Sequence, residues 1–156
     1  MKIEEAIKQK KFSSEVQRAQ INILYTASFL NSVHSQLFKE YDLSAQQYNV
    51  LRIINGQDPK PASVQLINER MIDASSNVSR IVDKLVAKKW VTRTTCRRDR
   101  RQVDIKITPK AKELIAEVHE QFQERFKVLD EIPTNELELL NDTLDKMRGL
   151  ILKSKS

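Results

Sequence analysis

The stretch SSNVSRIVDKLVAKKWVTRTTCRRDRRQVDIKIT, residues 75–108, decides the fold because its hydrophobic period changes along its length. Its first part has apolar residues at helical spacing, namely Val78, Ile81, Val82 and Leu85. Its last part has apolar residues at alternate positions, namely Val103, Ile105 and Ile107. We therefore predict a helix followed by a β-hairpin, with strands near residues 91–96 and 103–108.

The connection of this hairpin concentrates positive charge. Asp99 lies there among four arginines, Arg97, Arg98, Arg100 and Arg101. Residues 93–110 hold seven basic and two acidic side chains, nearly the whole excess behind the formal net charge of +6. Such a patch favours a polyanionic partner, either nucleic acid or a membrane surface. No apolar run approaches the ~20 residues that cross a bilayer, so we expect no membrane-spanning segment.

Helices account for most of the remaining chain. The 156 residues include only two glycines and four prolines, which is typical of a mainly helical protein with few tight turns. A long helix is predicted from Ser13 to about Lys39. Two more are predicted after the hairpin, one from about Pro109 to Leu129 and one that starts near Thr134.

Capping residues mark the ends of the predicted helices. Ser63 can cap a short helix before the opening stretch, and Asp73 or Ser75 can cap the helix within it. Two earlier pairs have capping-box spacing, Ser14 with Gln17 and Ser44 with Gln47. Gly56 is expected in the left-handed conformation that closes a helix.

A short helix, a turn, a second helix and a hairpin make a winged helix-turn-helix. With this arrangement the sequence resembles the MarR family of bacterial transcription regulators. The resemblance is carried by LSAQQYNVLRII (43–54), SSNVSRIVDKLVAKKWVTR (75–93) and DRRQVDIKIT (99–108), together with the long flanking helices. It implies a mainly α fold with a small β-hairpin wing and long N- and C-terminal dimerisation helices.

Two positions depart from the family pattern, because Lys89 and Ala111 stand where the family usually has glycine. A residue other than glycine in a left-handed helix cap costs about 1 kcal/mol. The departures therefore bear on local geometry at these two positions.

The resemblance divides the chain into a DNA-binding region, residues 43–108, and a helical dimerisation region, residues 1–42 and 109–156. It implies a homodimer that presents two wings to a pseudo-palindromic operator. The last helix supports a dimer independently through apolar residues at intervals of 3, 4, 3 and 4, here called the heptad seam: Leu137, Leu140, Leu144, Met147 and Ile151. The alternative is that this helix packs on its own domain.

The polar face of the second helix is the candidate for reading DNA, through Ser75, Ser76, Asn77, Ser79, Arg80 and Lys84. Asn77 and Arg80 are the stronger candidates for base contacts, because amide and guanidinium groups can bond two base-edge atoms at once. The serines and Lys84 suit phosphates or mixed contacts. Ser63 and Gln65 begin the preceding helix, whose N-terminus can receive a phosphate. The alternative is an ordinary solvated helix face.

The wing candidates are Arg97, Arg98, Asp99, Arg100 and Arg101. We expect the arginines to reach a neighbouring minor groove or phosphates, where the electrostatic potential favours them. Asp99 is the candidate brace, since a pair with Arg101 would order the tip. A solvated charge run is the alternative.

Other reactive side chains carry weaker signals. Cys96 is the single cysteine, so a reducing cytoplasm is expected; its arginine neighbours favour a thiolate, but we favour strand packing as its role. His34 and His119 are isolated, which disfavours a zinc site. We find no nucleophile–base set or phosphate loop, and so expect no cofactor and no enzymatic activity.

An effector pocket is implied by the resemblance, because many relatives bind small phenolic or lipophilic molecules. The aromatic residues that could line it are Tyr25, Phe29, Phe38, Tyr41 and Tyr48. Aromatic residues at helical spacing are more often part of the core, and that interpretation stays open.

The sequence therefore predicts a dimeric, sequence-specific regulator that binds double-stranded DNA. A repressor is expected, released from its operator by a small ligand. The alternative is a basic RNA-binding or ribosome-associated module. That alternative is less favoured because the recognition face has no aromatic residues on which bases could stack.

Overall fold

The computed structural model describes residues 1–95 and 103–154. Its elements in chain order are α1 (Ile3–Ala6), α2 (Glu15–Glu40), α3 (Ala45–Asn55), α4 (Val64–Arg70), α5 (Val78–Ala87), β1 (Val91–Thr95), β2 (Val103–Ile107), α6 (Pro109–Phe126), a 3-10 helix (Lys127–Glu131) and α7 (Thr134–Lys153). The chain divides into two compact units, Met1–Val118 and His119–Ser156.

The first unit has one hydrophobic core that every element of the helix-turn-helix shares. Its fully buried side chains include Leu37 of α2, Leu51 and Ile54 of α3, Ile67 of α4, Leu85 of α5 and Ile105 of β2. Because α5 contributes only one face to this core, its other face is left to solvent. The mainly helical winged architecture predicted from the sequence is confirmed.

The hairpin is antiparallel, and the structure gives its register. Val91 pairs with Ile107 at one end, and Thr95 pairs with Val103 at the other. The edge of β2 that faces away from β1 is also paired. The Ala62 amide donates to the Ile105 carbonyl at 2.8 Å, and the Ile105 amide donates to the Ala62 carbonyl at 2.9 Å. This bridge ties the hairpin to the residue that precedes the α4 cap.

The predicted capping residues are found at three helix starts. Ser44 and Gln47 form the full capping box of α3, with bonds of 3.2 and 3.0 Å. Ser63 accepts the Leu66 amide at 3.1 Å and so caps α4.

Ser14 caps α2, but its predicted capping box is only half formed. The Ser14 hydroxyl accepts the Gln17 amide at 3.1 Å, whereas the Gln17 side chain reaches the Ser13 amide at 2.8 Å instead of that of Ser14. The prediction that Ser14 and Gln17 bond reciprocally is therefore wrong.

The prediction that Gly56 adopts the left-handed conformation is wrong. Gly56 has a φ of −68°, because right-handed turns continue past it through bonds from Gln57 to Ile54 and from Asp58 to Asn55. Among the residues that the structure describes, three others have a positive φ, namely Lys8, Asp42 and Lys89.

Lys89 occupies the left-handed position that ends α5. Its φ is 59°, its amide bonds the Val86 carbonyl at 2.9 Å, and the next amide, of Trp90, bonds the Leu85 carbonyl at 3.0 Å. These two bonds define a Schellman motif, in which glycine is the favoured residue. Lys89 therefore adopts the left-handed conformation at the position where the family usually has glycine.

Replacing Lys89 by glycine should stabilise the protein by about 1 kcal/mol, because the backbone strain at a positive φ disappears. Thermal or urea unfolding measures the change. Lys84→Gly is the matched control, since it removes the same side chain from a right-handed position of α5 and should destabilise by about 1 kcal/mol. Equal effects of the two substitutions would contradict the argument.

Thr108 joins the end of the hairpin to α6. Its amide donates to the Trp90 carbonyl at 3.1 Å, and its hydroxyl accepts the Ala111 amide at 3.3 Å. Ala111, the second departure from the family pattern, is fully buried in the first turn of α6. Because α6 is regular there, no glycine conformation is required.

The second unit contains the end of α6, the 3-10 helix and α7. The rings of Phe122 and Phe126 stack at 6.0 Å between centroids, and α6 ends at Phe126 instead of the predicted Leu129. α7 has no buried residue. Over the described ranges, no helix is both long and apolar enough to cross a membrane.

Candidate nucleic-acid interface

The two faces of α5 differ as the sequence predicts. Val78, Val82 and Leu85 are buried in the core. The polar candidates are exposed on the other side, at Asn77, Ser79, Arg80 and Lys84. The helix is therefore held by an apolar face and presents a hydrogen-bonding face to solvent, which is the arrangement that groove reading requires.

The cap of α5 is Asn77, so the prediction of Asp73 or Ser75 as the cap is wrong. The Asn77 side-chain oxygen accepts the Arg80 amide at 3.1 Å. That bond uses one of the two lone pairs of the amide oxygen and directs the side chain toward the first turn of α5. The amide nitrogen of Asn77 remains available as a donor.

Asp73 and Ser75 instead form a turn before the helix. The Asp73 carboxylate accepts the Ser75 hydroxyl at 2.6 Å and the Ser75 amide at 3.0 Å. These two bonds, the hydroxyl bond first, lower the pKa of Asp73 because they stabilise its charged form. Asp73 is therefore an anion at neutral pH at the entrance to α5.

An open groove of about 440 Å³ runs along α5. Five of the six predicted recognition residues line it: Ser75, Ser76, Asn77, Arg80 and Lys84. Ser79 does not line the groove. The opposite wall is the first turn of α3, with Ser44, Gln46 and Gln47. Sequence reasoning missed this wall, which here is called the α3 wall.

α5 contributes two positively charged side chains to the groove, Arg80 and Lys84. Arg80 and Lys84 are exposed and, across the described part of the chain, neither has a carboxylate partner. They lie four residues apart and hence on the same side of α5. Two cations free of internal partners favour an anionic ligand.

An ion pair that the sequence did not predict joins α5 to the wing. Asp83 of α5 accepts the guanidinium of Arg93 of β1 at 2.7 Å, and both side chains are partly exposed. An exposed pair of this kind contributes only about 0–1 kcal/mol. Its consequence is geometric, because it orients the first strand of the hairpin against the helix and neutralises the one acidic residue of α5.

The remaining predicted DNA contacts lie in two places. Ser63 uses its hydroxyl oxygen as the α4 cap, and Gln65 donates to the Glu69 carboxylate at 2.9 Å. The wing candidates Arg97, Arg98, Asp99, Arg100 and Arg101 lie outside the described residues, as does Cys96. Their roles stay predictions.

The heptad seam of α7 is open in the single chain. Leu137 is 37% exposed, Leu140 53% and Ile151 49%, while Leu144 and Met147 are partly covered. α2 also has open apolar side chains along its N-terminal half, the largest exposed fraction being 70% for Leu24. Apolar helix surfaces of this extent in a folded unit are typical of association sites.

Of the aromatic residues proposed for an effector pocket, two are in contact with each other and one is exposed. Phe38 is buried and its ring lies 4.9 Å from that of Tyr48, whereas Phe29 is exposed. The Tyr41 hydroxyl bonds the Glu117 carboxylate at 3.2 Å. Within residues 1–95 and 103–154, no group of three or more His, Cys, Asp or Glu side chains could hold a metal ion.

Comparisons with known proteins agree with this geometry. A family model described as the MarR family matches residues 41–102. The uncharacterised HTH-type transcriptional regulator YpoP of Bacillus subtilis (strain 168) is 30% identical over 122 residues, which cover 76% of this chain and 84% of YpoP.

Two solved structures show the same fold. A mutant E. coli MarR complexed with operator DNA superposes with a TM-score of 0.73 at 20% identity, covering 88% of this chain and 99% of that one. The organohalide-sensing regulator RdhR in its 2,4-dichlorophenol-bound form superposes with a TM-score of 0.75 at 18% identity, covering 90% of this chain and 86% of that one.

A helix-turn-helix, a hairpin wing and an exposed polar recognition helix define a winged helix-turn-helix protein. This chain belongs to the MarR family of transcription regulators. Its class is therefore that of a regulator and not of an enzyme.

Proposed function

We propose that the protein binds a specific double-stranded DNA operator and represses transcription from it. The observation that carries this proposal is α5, which is held by a buried apolar face and presents Arg80 and Lys84 in an open groove, where neither has a carboxylate partner within residues 1–95 and 103–154. The E. coli MarR protein of the same fold is bound to operator DNA. Because its partner is chromosomal DNA, we place the protein in the cytoplasm.

We further propose that the protein acts as a homodimer on a pseudo-palindromic site. The open heptad seam of α7 and the open apolar side chains of α2 support association with a second copy. A two-fold dimer presents two recognition helices in successive major grooves, which requires half-sites about 10 base pairs apart or a multiple of that spacing.

Selection from a random duplex pool with the full chain tests both proposals. We expect enrichment of an inverted repeat, since each half of a symmetric dimer reads the same sequence. Enrichment of no motif, or equal affinity for single-stranded RNA of the same length, would instead support the basic RNA-binding alternative. Enrichment of a single unrepeated motif would support specific DNA binding and contradict the symmetric dimer.

Release by a small phenolic or lipophilic ligand is part of the proposal. Its support is the dichlorophenol-bound state of RdhR, a regulator with the same fold. Titrating 2,4-dichlorophenol into the preformed protein–operator complex tests this ligand class. Unchanged affinity for the operator would argue against release by this phenol.

A further inference from the structure

The α3 wall of the groove offers a side chain whose role is not explained by the fold. Gln47 is buried and its side chain completes the capping box, while the Ser44 oxygen accepts the Gln47 amide. Gln46 is exposed and, as far as the described residues extend, its side chain has no hydrogen-bond partner. Its amide group is therefore free to donate into the groove.

Two contacts fix how α3 runs along the groove. Just before α3, Asp42 holds the Lys88 ammonium through its carboxylate at 2.7 Å and also through its backbone carbonyl. Further along α3, the Asn49 side chain accepts the Ile72 amide at 3.0 Å. The start of α3 therefore lies beside the C-terminal half of α5, and its middle lies beside the loop that precedes α5.

The two ends of the groove differ in charge because of this direction. The loop end holds the Asp73 carboxylate, whose charged form is stabilised by Ser75. The other end holds Lys84 and the first turn of α3, an 11-residue helix whose first amides lack acceptors within the helix. An anion is favoured at the Lys84 end and disfavoured at the Asp73 end.

We propose that one backbone phosphate of the operator binds at the Lys84 end, between the Lys84 ammonium and the Gln46 side-chain amide. The inference rests on the proposed DNA-binding function and adds α3 to the interface. Phosphate contacts set the position of a protein on the duplex without reading sequence. A phosphate held here would fix the depth and angle at which Arg80, one turn before Lys84, meets the bases.

Neutralising single phosphates of the selected operator with methylphosphonate tests this contact. Among the positions at which neutralisation weakens binding of the natural protein, one in each half-site should be the phosphate that Gln46 and Lys84 contact. Gln46→Ala should bind the unmodified operator about three- to tenfold more weakly for each half-site, the range of one net hydrogen bond per protomer. Because Lys84 still contacts the phosphate, Gln46→Ala should still respond to neutralisation at that position, but less than the natural protein does.

Gln46→Glu separates a binding effect from a folding effect. A carboxylate in the first turn of α3 favours the helix, so the melting temperature should be unchanged or higher. The same carboxylate repels a phosphate, so the affinity for the operator should fall more than in Gln46→Ala. Gln36→Glu, an exposed site on α2 that does not line the groove, is the control with the same charge change.

Two results would overturn the inference while leaving DNA binding intact. One is a phosphate-sensitivity profile of Gln46→Ala that matches the natural protein at every position. The other is an equal loss of affinity in Gln36→Glu and Gln46→Glu. Failure of the natural protein to prefer the selected duplex would overturn the proposed function itself, and this inference with it.

Discussion

Replacing Leu140 and Leu144 together by glutamate should convert the proposed dimer into chains of 18.1 kDa or unfold them. Both residues belong to the heptad seam of α7, which the single chain leaves open. At a two-fold seam the substitutions place four carboxylates together, buried and without cationic partners. Uncompensated buried charges cost several kcal/mol each, so four of them strongly oppose association. Light scattering reports the mass, and circular dichroism reports whether helices remain.

The matched control changes the same helix outside the seam. Leu139→Glu with Thr143→Glu adds the same charge at the same spacing, and both sites are exposed. We expect this variant to stay dimeric and to keep its operator affinity. A well-folded Leu140→Glu, Leu144→Glu chain that remains dimeric would remove the seam from the interface. If the control variant were monomeric, the interface would be assigned instead to the face of α7 that carries Leu139 and Thr143.

Features that depend on nearby residues could be predicted from the sequence. The Ser44–Gln47 capping box lies within four consecutive residues, and the second strand of the hairpin follows from apolar residues at alternate positions. Each signal depends only on residues of one helix or strand. Contacts with the rest of the protein were therefore not needed to predict it. The winged fold followed because these local signals come in a characteristic order.

Helix ends were predicted less well because several residues competed for each role. Asp73, Ser75 and Asn77 are all good capping residues, and the structure uses the first two in a turn and Asn77 as the cap. Gly56 is the residue best suited to a positive φ, but Lys89 adopts it, because the chain must reverse between α5 and β1 to bury Trp90 and Val91. Packing overrides intrinsic preference at both places.

The candidate site was predicted on α5 and missed on α3 for a related reason. Periodicity within α5 separates its buried face from its polar face, so Arg80 and Lys84 could be assigned to the outer side. The α3 wall is set by contacts between distant parts of the chain, such as Lys88 with Asp42, 46 positions apart. No pattern in either helix alone indicates that pairing.

Arg80→Ala and Arg101→Ala should both weaken operator binding, but in different ways. Arg80 lies in the first turn of α5 and lines the groove, so its guanidinium can reach base edges. A two-bond contact to guanine contributes about 1–3 kcal/mol of discrimination, and dimer symmetry doubles the loss. We expect Arg80→Ala to relax the preference at one position of each half-site. Affinities for the operator and for its single-base variants measure this.

Arg101 lies outside the described residues, and its role is predicted from the sequence as a wing contact. The minor groove carries a degenerate code, so losing Arg101 should weaken binding to many sequences alike. It should also lower the salt slope by about one unit per wing, since fewer counterions are released. Repeating the titrations at two salt concentrations separates this effect from that of Arg80. Arg148→Ala on α7 loses the same charge and should change neither quantity.

The assignment of roles can be reversed by one pattern of results. If Arg80→Ala lowered all affinities equally while Arg101→Ala erased the preference at one central base pair, the wing would read the sequence and α5 would contact the backbone. If neither substitution changed binding, neither α5 nor the hairpin would face the DNA. The exposed cations of the groove would then need another partner, although the buried face of α5 and its place in the core would stand.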